Sequence, residues 1–126
     1  MQVPDDLHYT KDHEWARVEG DIATVGITDY AQAQLGDIVY VELPQVGDQV
    51  SAHAPFGTVE AVKAVSDIIS PLSGEIVEVN DDLASAPEKI KASPYGEGWM
   101  VKIKMSDAGE AGSLLKAADY EGLIAE

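Results

Sequence analysis

The stretch FGTVEAVKAVSDIISPLSGEIVEV, residues 56–79, decides the fold. Its β-branched residues predict three strands, at 56–62, 66–70 and 74–79, with Pro71-Leu72-Ser73-Gly74 as the turn before the third. The first two strands face each other in this interpretation, so Lys63 falls near the tip of a hairpin. No Asn-Gly or Asp-Gly pair marks that turn, and local chemistry alone leaves the hairpin open.

Lys63 is the only Lys or Arg between Arg17 and Lys89, a segment that also holds thirteen Asp and Glu residues. A solvated surface lysine is the ordinary interpretation, and an attachment point for an acyl group is the other. Nearby carboxylates favour the charged ammonium form, so this lysine is expected to be a poor nucleophile by itself. It suits acylation by a separate enzyme that brings an activated acyl group.

The composition excludes several classes of protein. Eight Lys and Arg against 23 Asp and Glu give a formal net charge of −15, which disfavours nucleic acids and anionic membranes as partners. Without cysteine, the chain has no thiolate nucleophile and no Cys-based metal site. Since no apolar run is long enough for a membrane span and the first residues do not resemble a targeting segment, we expect a cytoplasmic bacterial protein.

The rest of the chain predicts short strands with small helices at the periphery. Strands are expected at residues 14–18, 22–27, 37–43 and 99–105, and helices at 28–36, near 81–84 and at 113–125, the last broken near Gly122. Thr28 is the expected N-cap of the first helix, and Gly36 its end. A length of 126 residues suits one domain, 1–126, of the mainly β class.

Residues that could support catalysis or metal binding are scattered. His8, His13 and His53 do not pair at helical ligand spacing, and the sequence has neither a nucleophile elbow nor a glycine-rich phosphate loop. Trp15 and Trp99 are expected to pack in the core or at its rim. We therefore predict no catalytic residue and no metal site in this chain.

Four segments carry a resemblance to one known family. They are His13-Glu14-Trp15, then 26–32 with 35–44, then 56–67 with 70–80, and 93–99. In this order they resemble the H proteins of the glycine cleavage system, over roughly residues 7 to 126. The chain departs from many members at two positions, with Ala61 and Asp12 where a serine often stands.

The resemblance implies a lipoyl-type barrel-sandwich hybrid with short peripheral helices, a C-terminal helix and the modified lysine at a hairpin tip. Lys63 would carry lipoic acid through an amide bond. Glu14 and Asp67 match acids that line the cleft into which the family's lipoyl arm folds. The chain would then be a monomeric carrier protein in glycine catabolism, and not an enzyme.

The resemblance also implies a set of partners. The carrier would take the aminomethyl group of glycine from a decarboxylase that uses pyridoxal phosphate, the P protein. It would deliver this group to a folate-dependent aminomethyltransferase, the T protein, and electrons to lipoamide dehydrogenase, the L protein. Lipoate-attaching enzymes would modify Lys63 beforehand.

Other functions fit the pattern less well or remain open. A biotin carrier would place Met on both sides of the lysine, where this chain has Val62 and Ala64. A lipoyl domain of a 2-oxoacid dehydrogenase would show Asp-Lys-Ala within a longer chain that contains linkers. A protein that relays octanoyl or lipoyl groups in lipoate metabolism stays open, as does an enzyme with the same fold. Intact mass would discriminate the enzyme, because only a carrier gains an acyl group at Lys63.

Overall fold

Two antiparallel β-sheets make up most of the fold in the computed structural model, which describes residues 2–125. The strands are β1 (His8–Tyr9), β2 (Glu14–Glu19), β3 (Ile22–Ile27), β4 (Ile38–Glu42), β5 (Gln49–Val50), β6 (Pro55–Ala61), β7 (Val65–Ile69), β8 (Gly74–Val79) and β9 (Val101–Met105). The larger sheet has the order β1-β2-β3-β9-β8-β5, and the smaller one has the order β4-β6-β7. This arrangement confirms the predicted fold class: two sheets that resemble a barrel sandwich without closing into a barrel.

The main hydrophobic core joins the two sheets. Its buried side chains come from strands of both, and include Val25, Val41, Val59, Ile68, Ile76 and Ile103. These residues lie on the face of each strand that points to the core, since successive residues of a strand point to opposite faces. In β3 both faces are covered, and all residues from Ala23 to Ile27 are buried. Val, Ile and Leu fill this core, which agrees with the few aromatic residues in the sequence.

The hairpin of β6 and β7 confirms the interpretation of residues 56–70. Register runs from Pro55 opposite Ile69 to Glu60 opposite Val65, which leaves Lys63 in the connecting turn. On the other side of β6, Ile38 pairs with Ala61 and Tyr40 with Glu60. Val39 is therefore an extra residue in β4, a β-bulge close to the turn.

Short helices surround the sheets. They are α1 (Asp29–Leu35), α2 (Asp82–Ser85), α3 (Lys89–Ala92), the 3-10 helix Ala108–Ser113 and α4 (Ala117–Ile124). Thr28 caps α1 as predicted, since its side chain accepts a hydrogen bond from the Ala31 amide, and Gly36 ends the helix with a φ of 81°. Among the described residues, no helix has the length and apolar character that a membrane crossing requires.

Aromatic side chains hold α4 against the larger sheet. The rings of Tyr9 and Tyr120 stack with centroids 4.8 Å apart. Both belong to a second buried cluster that also contains Trp15. Trp15 is fully buried and Trp99 partly buried, and both pack in or beside this cluster, as expected for two packing residues.

Several predicted boundaries were wrong. The C-terminal helix begins at Ala117 rather than at residue 113, because residues 108–113 form the 3-10 helix and Leu115 pairs with Tyr9 as an isolated bridge. The helix also runs through Gly122 without the expected break. The last strand begins at Val101, two residues later than predicted, and β1, β5 and α3 were not predicted.

Candidate functional site

Two backbone hydrogen bonds hold the turn that carries Lys63. The amide of Ala61 donates to the carbonyl of Ala64 at 2.8 Å, and the amide of Val62 donates to the carbonyl of Asp37 at 3.1 Å. Residues 62–67 are all exposed, and Lys63 forms no salt bridge with any other described residue. The amine is thus presented to solvent on a backbone that hydrogen bonds fix in place.

A cleft of about 270 Å³ lies along β7, the edge strand that follows Lys63. Its wall consists of four parts: the start of β2 with the residues before it, the end of β3, one side of α1, and the paired strands β6 and β7. The lining residues are Asp12, His13, Glu14, Ile27, Tyr30, Ala31, Gln34, Leu35, Val59, Ser66, Asp67 and Ile68. The structure therefore brings both predicted acids, Glu14 and Asp67, to one cleft.

Glu14 is the buried acid of this cleft, with a side chain only 2% exposed. The hydroxyl of Thr10 donates to Oε1 at 2.7 Å, and the amide of Ile69 donates to Oε2 at 3.3 Å. Burial raises the pKa of Glu14 to about 8, although both hydrogen bonds act to lower it. A cationic group that entered the cleft would stabilise the ionised carboxylate and lower this pKa. Asp67 also lines the cleft, but its side chain is exposed.

The raised pKa of Glu14 predicts that the protein loses stability as the pH rises. The folded state holds this proton more tightly than the unfolded state, so the contribution is fully present below about pH 4.5 and disappears by about pH 8. Its full size is of the order of 5 kcal/mol. Denaturant unfolding at pH 5, 6.5 and 8.5 should show the free energy of unfolding falling more steeply in the native protein than in Glu14→Gln. An identical pH slope in the two proteins would contradict the prediction.

His13 lies beside Glu14 in a backbone conformation that non-glycine residues rarely adopt, with a φ of 71°. Its ring packs against those of Tyr30 and Tyr120, and Nδ1 lies 2.8 Å from the Tyr120 hydroxyl. The same hydroxyl lies 2.7 Å from Oγ1 of Thr28, the N-cap of α1. Burial lowers the pKa of His13, while Asp12 acts to raise it. The imidazole of His13 thus joins α4, α1 and the cleft.

The sequence did not assign His13, Tyr30 or the rest of α1 to the cleft. Both His13-Glu14-Trp15 and the segment that contains Tyr30 belong to the quoted resemblance, but spacing along the chain did not show that they meet. The other histidines lie apart from this site. His8 has a buried Nδ1 without a hydrogen-bond partner among the described residues, and His53 is exposed. Within residues 2–125, no cluster of three acidic or histidine side chains could hold a metal ion.

Comparison with known proteins identifies the family. The family model described as "Glycine cleavage H-protein" matches residues 7–126. The chain belongs to the glycine cleavage H-protein family. A glycine cleavage system H protein of Rubrobacter xylanophilus is 55% identical over 125 residues, which cover 99% of this chain and 97% of the relative. One from Geobacillus kaustophilus is 53% identical over 126 residues, with 100% and 99% covered.

A solved structure agrees with this assignment. The crystal structure of a glycine cleavage system H protein from Mycobacterium marinum matches with a TM-score of 0.90 and 44% sequence identity. The match covers 98% of this chain and 100% of that one. Both the family resemblance and the fold class predicted from the sequence are thereby confirmed for this H-protein family member.

Proposed function

We propose that this chain is the lipoyl-bearing carrier of a glycine cleavage system, with residues 1–126 acting as one carrier domain. It would move the aminomethyl group of glycine from the decarboxylase to the aminomethyltransferase, and electrons to lipoamide dehydrogenase. The observation that carries the proposal is the exposed Lys63 on a braced hairpin tip, followed by an edge strand that lines a cleft with a buried carboxyl group.

Lys63 fits the attachment of lipoic acid because its amine is accessible and its turn is fixed. An amide at Nζ removes the positive charge and adds a flexible arm, and neither change meets a packed neighbour at an exposed tip. When attached, the lipoyl group supplies the disulfide that accepts the aminomethyl group and the electrons. The described residues supply no catalytic constellation, so we infer that the chemistry belongs to the partner enzymes.

The cleft fits the loaded end of such an arm. Apolar side chains of Ile27, Leu35 and Val59 line part of its wall and suit a hydrocarbon chain. Glu14 and Asp67 suit the amine of the aminomethyl group, which is cationic near neutral pH. Glu14 is the stronger candidate, since a buried carboxylate is screened less by water and salt than an exposed one.

Reconstitution tests this function directly. The chain, lipoylated at Lys63, is mixed with the three partner enzymes, folate cofactor, NAD⁺ and labelled glycine. The proposal predicts release of labelled CO₂ and transfer of label to folate that depend on the lipoylated chain. Normal lipoylation without either reaction would favour the alternative function, a relay of octanoyl or lipoyl groups in lipoate metabolism, because the same exposed Lys63 serves both roles.

Docking to these partners should weaken with salt. The chain carries a formal net charge of −15, and interactions between exposed charges more than about 8 Å apart are screened at physiological ionic strength. We expect the apparent KM of the decarboxylase for the lipoylated chain to rise roughly tenfold between low salt and about 0.5 M NaCl. A KM that stays flat across this range would contradict steering by the acidic surface.

A further inference from the structure

Exposed apolar side chains gather around Lys63. Among the described residues, seven large apolar or aromatic side chains are exposed, and four of them lie on the smaller sheet or in the turn that carries this lysine. They are Val39, Tyr40, Val62 and Val65, with exposed fractions of 52%, 49%, 73% and 65%. We call these four residues the tip patch. Single exposed apolar side chains are ordinary, whereas a group of them beside a modified residue indicates a contact surface.

Strand register places members of the tip patch together. Tyr40 pairs with Glu60, and Glu60 pairs with Val65, so the three side chains form one row across the same face. The bulge in β4 adds the exposed Val39 next to Tyr40. Val62 belongs to the turn itself, which the hydrogen bond to the Asp37 carbonyl holds against the start of β4. A partner would therefore meet a surface that is already ordered.

Carboxylates surround the tip patch. Glu60 lies within the row, and the next row on the same face contains Glu42, Thr58 and Asp67. All three acids are exposed. One other cation lies near the turn among the salt bridges of the described residues: Lys91, whose Nζ is 3.3 Å from the carboxylate of Asp37. The matching partner surface has an apolar centre and a basic rim.

We propose that the tip patch is the docking surface for the enzyme that acylates Lys63. This inference rests on the proposed lipoylation of that residue. The acylating enzyme must form a bond to Nζ itself, so its surface has to touch the tip, whereas the glycine cleavage enzymes act at the far end of the arm. With an acyl adenylate as donor, the amide forms between Nζ and the acyl carbon. The bond from that carbon to the phosphate breaks, AMP leaves with the electron pair, and the ammonium loses two protons.

Replacing Tyr40 tests the apolar centre of the tip patch. Tyr40→Thr keeps a residue that favours strands while it removes the exposed ring. The variant is incubated with a lipoate-attaching enzyme, ATP and lipoic acid, and the gain of lipoyl mass is followed over time. We expect kcat/KM for lipoylation of Tyr40→Thr to be about tenfold or more below that of the native chain. Val46→Thr is the matched control, because Val46 is 64% exposed but lies outside the smaller sheet, in the segment between β4 and β5. Equal rates for Tyr40→Thr and Val46→Thr would overturn the proposal.

Charge reversal tests the rim. Glu60→Lys should slow lipoyl attachment more than Glu121→Lys, which makes the same change of charge on α4. Two other outcomes have distinct meanings. Tyr40→Thr that already carries the lipoyl group can also be loaded with the aminomethyl group by the decarboxylase. If this loading slows as much as lipoyl attachment does, the patch is assigned to the decarboxylase and the proposal is overturned. No acyl mass on Lys63 in the unsubstituted chain would instead overturn the proposed function.

Discussion

Lys63→Arg should give a folded protein that gains no lipoyl mass and supports no glycine cleavage above background. Arginine keeps the positive charge, but its guanidinium stays protonated and does not accept the acyl group. Since residue 63 is exposed in a turn whose hydrogen bonds come from the backbone of its neighbours, the free energy of unfolding should change by less than about 0.5 kcal/mol. Intact mass after incubation with the attaching enzyme and labelled-glycine turnover are the two measurements.

Lys104→Arg provides the control for this experiment. Lys104 is another exposed lysine, but it lies on strand β9, and its replacement by arginine should leave both lipoyl mass and turnover unchanged. A lipoyl group found on Lys63→Arg would show that another residue is the attachment site.

Glu14→Ala should shorten the lifetime of the loaded carrier without changing lipoylation. An aminomethyl group on sulfur is lost to water as formaldehyde and ammonia, so the carrier has to shelter it between partners. A charge-assisted hydrogen bond from the cationic amine to the buried carboxylate contributes about 1.5–3 kcal/mol, which is roughly ten- to a hundredfold in occupancy of the cleft. We expect spontaneous loss of the aminomethyl group to accelerate by up to that factor, measured without the aminomethyltransferase.

Glu14→Gln separates the charge of this residue from its shape. Glutamine keeps the shape of the side chain and never becomes an anion: its one amide oxygen can accept from the Ile69 amide, and its NH2 group can donate to the Thr10 hydroxyl, which donates to Glu14 in the native protein. If the carboxylate acts by its charge, the Gln variant should lose the aminomethyl group nearly as fast as the Ala variant. Acid should also erase the difference from the native protein, because Glu14 becomes neutral once the pH falls below the pKa that it has beside the bound amine, which lies lower than its pKa in the unloaded protein. Equal decay rates in native protein and Glu14→Ala would assign the shelter to other residues.

The two strands that flank Lys63 could be predicted from the sequence because their signals are local, whereas local chemistry left the turn between them open. β-branched runs mark β6 and β7, while Thr28 and Gly36 mark both ends of α1. Two-residue strands such as β1 and β5 carry no periodicity, so pairing with distant strands is what defines them. The start of α4 was misplaced for the same reason, since the bridge from Leu115 to Tyr9 competes with helix formation there.

The candidate site was predictable in part. The resemblance placed Glu14 and Asp67 at one cleft, and the structure brings them there. Residue type and spacing did not indicate that Glu14 would be nearly fully buried, because burial depends on how β7 approaches β2. The tip patch was not predicted either, since the bulge at Val39 is a property of register between two strands.

The strand orders of the two sheets determine which of them can form first while the ribosome synthesises the chain. All three strands of the smaller sheet lie between Ile38 and Ile69, a segment that also contains β5 of the larger sheet, so they are available once that segment has left the ribosome. The larger sheet cannot close until β9 inserts between β3 and β8, and Tyr120 reaches His13 only when almost the whole chain has been made. A nascent chain can therefore expose Lys63 before β9 and α4 have been made, and thus before Tyr120 can contact the cleft residue His13.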